Sequence, residues 1–123
     1  MNPLRIIAAV YAVLFAVVTS LNYIPGLTDA QGRTFGLFAL DIFDDALHAA
    51  SGLWAALAAW TSTRATLIYF RVFGPLYCLD GVLDLPLMTR VLMNLPHIAI
   101  GGFAAFAGYV LPRIWSRAAA DRR

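Results

Sequence analysis

Lysine and glutamate are absent from this 123-residue chain, and charged residues of any kind make up only 13% of it. All nine basic residues are arginine and all seven acidic ones aspartate, for a formal charge of +2. A small soluble domain needs about a quarter to a third of its surface charged, so this composition excludes one. It also lacks the basic stripe of a nucleic-acid binder. With 61% hydrophobic residues it lacks the polarity of a disordered chain. The one cysteine, Cys78, can close no intramolecular disulfide; set in an apolar run, it reads as a small buried hydrophobe. No P-loop, G-x-G-x-x-G, C-x-x-C or Ser-His-Asp spacing occurs. What is left is an integral membrane protein of one domain.

Four apolar runs are long enough to cross a bilayer, which takes about 20 residues: residues 6–24, 46–63, 66–85 and 91–111. The first follows Arg5 but no A-x-A cleavage site follows it, so it reads as a retained helix and not a signal peptide. With four spans both termini share a side. Arg5, Arg64, Arg71, Arg113, Arg117, Arg122 and Arg123 gather there, against Arg33 and Arg90 opposite. The positive-inside rule then makes the termini cytoplasmic. Arg71, a turn and a half inside the third span, is expected to snorkel to the headgroups. The external loop, residues 25–45, carries Leu27, Phe35, Leu37, Phe38 and Leu40, which suit a segment lying on the bundle mouth, with room for a short helix.

The strongest pattern is a self-match at an offset of 49 residues. Asp45-x-x-His48-x-x-x-Gly52 aligns with Asn94-x-x-His97-x-x-x-Gly101, and Trp54 and Trp60 align with Phe103 and Tyr109. Both histidines of the chain therefore occupy equivalent places near the start of helices 2 and 4. The expected fold is all-α, a four-helix transmembrane bundle of two homologous hairpins, with helices 2 and 4 diagonal across the core. Small residues recur at helical spacing on helix 2 (Gly52, Ala55, Ala56, Ala59), on helix 4 (Gly101, Ala104, Ala105, Gly108) and on helix 1 (Ala8, Ala12, Ala16, Ser20). Such stripes mark closely packed faces, which points both histidines inward and gives Gly52 and Gly101 a packing role.

On helix 3, Tyr77, Asp80 and Asp84 share a face. The outer third of the bundle thus collects Asp41, Asp44, Asp45, His48, Asp80, Asp84, Asn94 and His97, with Asn22 and Tyr23 nearby. An ionisable cluster at membrane depth is a functional hypothesis by default. Asp45 and Asn94 each precede a histidine by three residues, as an N-cap precedes N3, and Pro96 would then fall in a first turn. Asp41 and Asp44 complement the positive end of helix 2. In the simplest reading the histidines hydrogen-bond Asp80 and Asp84 and hold the hairpins in register. In a second, His48, His97 and Asp80, assisted by Asp84 or Asp45, bind a divalent zinc, manganese or iron ion. Bis-histidine haem and proton or substrate handling stay open beside these.

Three stretches carry a resemblance: residues 37–38 and 44–52 (Leu-Phe, then Asp-Asp-Ala-Leu-His-Ala-Ala-Ser-Gly), residues 69–77 (Tyr-Phe-Arg-Val-Phe-Gly-Pro-Leu-Tyr) and residues 94–101 (Asn-Leu-Pro-His-Ile-Ala-Ile-Gly). They resemble an uncharacterised family of small bacterial four-helix membrane proteins, loosely similar to the DoxX-like proteins, with paired [N/D]-x-x-H-x-x-x-G helix starts. Asp80 and Asp84 depart from it, since that helix tends to be apolar in such proteins. The resemblance implies a four-helix bundle in a bacterial plasma (inner) membrane and no particular activity. The functional expectation is a small accessory or binding protein whose Asp/His cluster holds a metal ion or the bundle itself. The rivals are a membrane-embedded metal-dependent hydrolase, a haem redox protein, or a structural subunit of a larger complex. The expected partners are the lipid bilayer and a second copy or larger membrane complex, with no nucleic acid.

Overall fold

A computed structural model describes residues 2–36, 38–39, 42–83 and 91–123. These are overwhelmingly helical. Helix α1 (Pro3–Ser20) runs into a 3₁₀ turn, Leu21–Tyr23, and α2 spans Ile42–Thr61, α3 Thr63–Leu83, α4 Val91–Tyr109 and α5 Leu111–Ala120. Three helical stretches are long and apolar enough to cross a membrane: Pro3–Tyr23, Thr63–Leu83 and Asn94–Ala120. Helix α2 has 20 residues but carries Asp44, Asp45 and His48 near its start, and it is not among these three.

The chain forms two compact units, Met1–Thr63 and Arg64–Arg123, each built on one helical hairpin. In the first, α1 opens with Pro3 at its start and the Asn2 side chain accepting the Leu4 N–H at 2.9 Å, a side-chain N-cap. Leu4, Ala8, Tyr11 and Phe15 form its buried face. That face is turned from the expected stripe: Ala8 is buried, whereas Ala12 is half-buried and Ala16 and Ser20 are exposed. The aromatic residues take the interior because they remove the most apolar surface from water or lipid contact, and the small residues line the edge of the hairpin. On α2, His48, Gly52, Ala55, Ala58 and Ala59 are buried and Ala56 is exposed.

Between α1 and α2 the chain makes a small antiparallel ribbon, β1 (Arg33–Thr34) with β2 (Phe38–Ala39), in place of the short helix for which the loop has room. Three glycines, Gly26, Gly32 and Gly36, take positive φ in this connection, as does Phe35 at φ 56°. Asp29 organises the turn: its Oδ1 accepts the N–H groups of Gln31 (3.0 Å) and Arg33 (2.8 Å).

In the second unit, α3 buries Thr66, Tyr69, Phe70, Phe73, Gly74 and Gly81, a three- and four-residue recurrence that faces α4. The two backbones meet at glycines. A Cβ on Gly101 would collide with the Cys78 backbone nitrogen and lie 2.8 Å from its Cα. One on Gly74 would strike the Ala105 nitrogen, and one on Gly81 would come within 2.9 Å of the His97 Cβ. Cys78, expected to be buried, is half-buried, with its backbone rather than its thiol pressed against Gly101.

Candidate functional site: histidine nodes and proline-freed carbonyls

Each histidine lies on an aromatic ring of its own hairpin. In the first unit, His48 stacks on Phe15 (centroids 5.7 Å, planes 20° apart), which in turn meets Tyr11 at 6.2 Å. In the second, His97 stacks on Tyr77 (4.4 Å, 28°), Tyr77 on Phe73 (4.9 Å) and Phe73 on Tyr69 (5.0 Å). The correspondence is a register. Phe15 and Tyr77 are 62 residues apart, as are Tyr11 and Phe73, while the histidines are 49 apart. The glycines obey the same two offsets. A Cβ on Gly52 would face the Ala12 oxygen and Ala16 nitrogen, and one on Gly101 the Gly74 oxygen and Cys78 nitrogen.

The polar partners differ between the hairpins. His97 Nδ1 lies 3.0 Å from Asp80 Oδ2; the histidine side chain is 23% exposed and the carboxylate 60%. This pair is one leg of the expected network. In the first hairpin the described polar contacts form a chain that ends on Asp45 of α2. Thr34, fully buried, donates its hydroxyl to Asn22 Oδ1 at 2.7 Å, and Asn22 Nδ2 donates to Asp45 Oδ2 at 3.2 Å. This chain ties the loop ribbon to the end of α1 and the start of α2. In the same register Asn22 corresponds to Asp84 and Asp45 to Asn94, so an amide and a carboxylate recur with their places exchanged. Asp84 lies outside the described residues, as does Asp41.

Two expectations about caps need correcting. Helix α2 starts at Ile42 and α4 at Val91, so Asp45 and Asn94 stand inside the first turns and not at N-caps. Asp44 and Asp45 still complement the positive end of α2. Pro96 likewise falls within α4 rather than at its opening, where it removes one backbone donor. The early starts carry both side chains into the protein: Asp45 and Asn94 are each only 5% exposed. Among the described residues, Asp45 Oδ1 and Asn94 Nδ2, one in each hairpin, are buried without a hydrogen-bond partner. Among the described residues no group of three His, Cys, Asp or Glu side chains converges as a metal site.

Arginine and proline carry a feature that the sequence reading missed. Arg71 does not simply snorkel. Its Nε donates to the Gly108 carbonyl at 2.9 Å, and its guanidinium lies 5.6 Å from the centre of the Tyr109 ring. The Gly108 carbonyl is available because the residue four positions on, Pro112, has no N–H to give it. Tyr109 reciprocates: its hydroxyl donates to the Arg71 carbonyl at 3.1 Å, and that carbonyl is freed by Pro75, again four positions on. Arg5 does the same for the first hairpin, donating to Ala59 O (2.7 Å) and Trp60 O (2.8 Å), carbonyls of the last turn of α2. Ala59 and Gly108 are the same position in the 49-residue register. The signal was legible, as a proline four residues after each acceptor in α3 and α4.

No protein-family model matches the chain, and no curated protein or solved structure is significantly similar to it.

Proposed function

We propose that this is a small integral membrane accessory or binding protein, a duplicated helical hairpin with four spans and both termini cytoplasmic, and that its histidine nodes lock each hairpin in register. Kinship with the small bacterial four-helix family, and a place in the bacterial plasma membrane, belong to the same proposal. The observation that carries it is the treatment of the proline-freed carbonyls. In water a bare carbonyl is solvated at little cost, whereas in hydrocarbon it costs several kcal/mol, of order 2–7. That Arg71 and Tyr109 reach across to two such groups near the end of the spans supports a membrane setting. The seven-to-two arginine asymmetry supports the orientation.

Within that reading His97 and Asp80 are the register key of the second hairpin. A divalent ion is the second reading, favoured by the 60% exposure of the Asp80 carboxylate, which stays open to an ion while it holds the imidazole. One experiment separates the two. The full-length protein is purified in detergent, its zinc, manganese and iron content measured, and its melting temperature followed with and without chelator for the native chain, His97→Ala and Asp80→Asn. The register key predicts lower melting temperatures for both variants and none of the response to chelator. Stoichiometric metal, with a chelator that reproduces the loss seen in the variants, overturns it in favour of the ion. Reporter fusions at Arg64 and after Arg117 are expected to read cytoplasmic and one near Gly32 external; an external C-terminus overturns the topology.

A further inference from the structure

Helix α5 has no place in a four-span bundle. Its ten residues bury nothing, yet they separate cleanly by character. Leu111, Ile114, Trp115 and Ala118 recur at three- and four-residue steps along one side, and Arg113 and Arg117 lie a turn apart on the other. Ile114 and Trp115 are 48% and 38% exposed. From Arg113 to the last residue the chain holds four arginines, with Arg122 and Arg123 closing it, against the single Asp121.

On the membrane reading proposed above, on which this inference rests, its position is set by the helix before it. The 19 residues of α4 extend about 28 Å, close to the roughly 30 Å hydrocarbon thickness of a bilayer. The continuous stretch Asn94–Ala120 is 27 residues, about 40 Å, too long to remain in hydrocarbon. The break comes where α4 has finished crossing. Val110 departs from ideal helical angles (φ −103°, ψ −49°), and Pro112 interrupts the backbone ladder. Beyond the break runs an apolar stripe bearing a tryptophan, backed by arginines, at the depth of the headgroups.

We propose that α5 lies in the membrane interface beside the exit of α4, with Leu111, Ile114 and Trp115 in the acyl boundary, and that Arg113 and Arg117 bind the phosphates of anionic phospholipids. Charge complementarity selects the occupant. An interfacial helix takes a basic polar face and a Trp- and Leu-bearing apolar one, and each arginine near an anionic surface adds an attraction that salt screens. A second copy of the chain would present the same excess of arginine to this face and be repelled by it.

The test uses the full-length chain with Trp54→Phe and Trp60→Phe, so that Trp115 is the sole tryptophan, reconstituted in phosphatidylcholine vesicles with and without phosphatidylglycerol. With the anionic lipid, Trp115 emission is expected to shift to the blue. Quenching by aqueous iodide should fall several-fold, and a bromine near the headgroup should quench more than one at the chain end. High salt, or Arg113→Gln with Arg117→Gln, should remove the dependence on phosphatidylglycerol. Emission that stays that of water in both vesicle types overturns the proposal. So does shielding that tracks the protein-to-lipid ratio and ignores lipid charge, which would mean that another chain covers the face.

Discussion

Ala12 in the first hairpin and Gly74 in the second stand at corresponding points of their helices, and the two hairpins diverge from there. At Gly74 and Gly101 the backbones of α3 and α4 are in contact, with no room for a Cβ on either glycine. At the corresponding place in the first hairpin, the Phe15 side chain is what stands against Gly52. A Cβ on Gly52 would meet the Phe15 Cβ at 3.0 Å and the Ala12 oxygen only at 3.5 Å. The space left over forms two open grooves of about 460 and 540 Å³, lined largely by alanines of both helices. One register thus supports two packing solutions: the Phe15 side chain meets Gly52 in the first hairpin, and bare backbone meets Gly74 and Gly101 in the second. The hairpins also use their polar groups differently. Both have an arginine that donates across to carbonyls near the end of the second helix; the second hairpin adds a His–Asp pair and the Tyr109 hydroxyl, and the first fixes its long connection through Thr34, Asn22 and Asp45.

The comparison is broken most directly at its glycines. Gly101→Ala puts a methyl into the Cys78 backbone, which cannot yield without moving a helix, and should cost about 3 kcal/mol, the upper end for overpacking. Gly52→Ala meets only the Phe15 Cβ at close range, and replacing a mid-helix glycine returns about 1 kcal/mol of helix propensity. Its net effect should lie within about 1 kcal/mol of zero on those two opposed effects. Thermal melting of the two variants in the same detergent decides the matter. Equal losses would mean that the hairpins pack alike after all.

How far this was readable beforehand depends on the kind of interaction. The matching places of the two histidines in the repeat, the buried glycines Gly52 and Gly101 and the helical stretches follow from spacing, because helical periodicity is a property of the chain alone. The small-residue stripe on helix 1 misled, since alanine at every fourth position marks a face without saying whether a neighbouring Tyr11 or Phe15 outcompetes it for the interior. The N-cap reading of Asp45 failed because α2 starts three residues earlier, at Ile42, which puts Asp45 inside the first turn. The arginine contacts were lost because a charge near a span end was weighed against lipid and not against a carbonyl stripped of its donor by a proline.

The proline locks sharpen the comparison at intermediate cost. Tyr109→Phe should leave the Arg71 carbonyl bare, at about 1–3 kcal/mol. In a Pro75→Ala background the same substitution should cost much less, because the introduced alanine would restore the helical N–H to that carbonyl. Arg71→Met and Pro112→Ala form the parallel pair for Gly108. The readout is the interaction energy of each double-mutant cycle from melting or denaturant titration. Additive effects in both cycles would show that these bonds are incidental, and with them the main argument for a waterless surrounding.

The smallest expected effect concerns the connection of the first hairpin, where order is local and polar. The backbone N–H of Arg33 is the chief influence holding the Asp29 carboxyl below its ordinary value. Desolvation opposes it, and the Gln31 N–H and the Arg33 guanidinium, 3.3 Å away, act in the same sense as the Arg33 N–H. A carboxyl whose value is lowered by folding steadies the turn at every pH above its unfolded value, and that support is lost as pH falls through its folded value. Carbon-detected titration of the Asp29 carboxyl in the full-length protein should therefore give a midpoint displaced to the acid side of an ordinary aspartate. Arg33→Ala keeps the backbone donor, so it should move the midpoint only part of the way back. Asp29→Asn should keep the turn, through its own side-chain oxygen, while abolishing the pH dependence of the loop amides. The melting temperature of the whole chain should hardly respond to either change, because the Thr34–Asn22–Asp45 chain, not this exposed carboxylate, anchors the connection to the helices. If Arg33→Ala carried the midpoint all the way to the ordinary value, the guanidinium and not the backbone would be the organising group. The turn would then weaken with added salt as an exposed ion pair does.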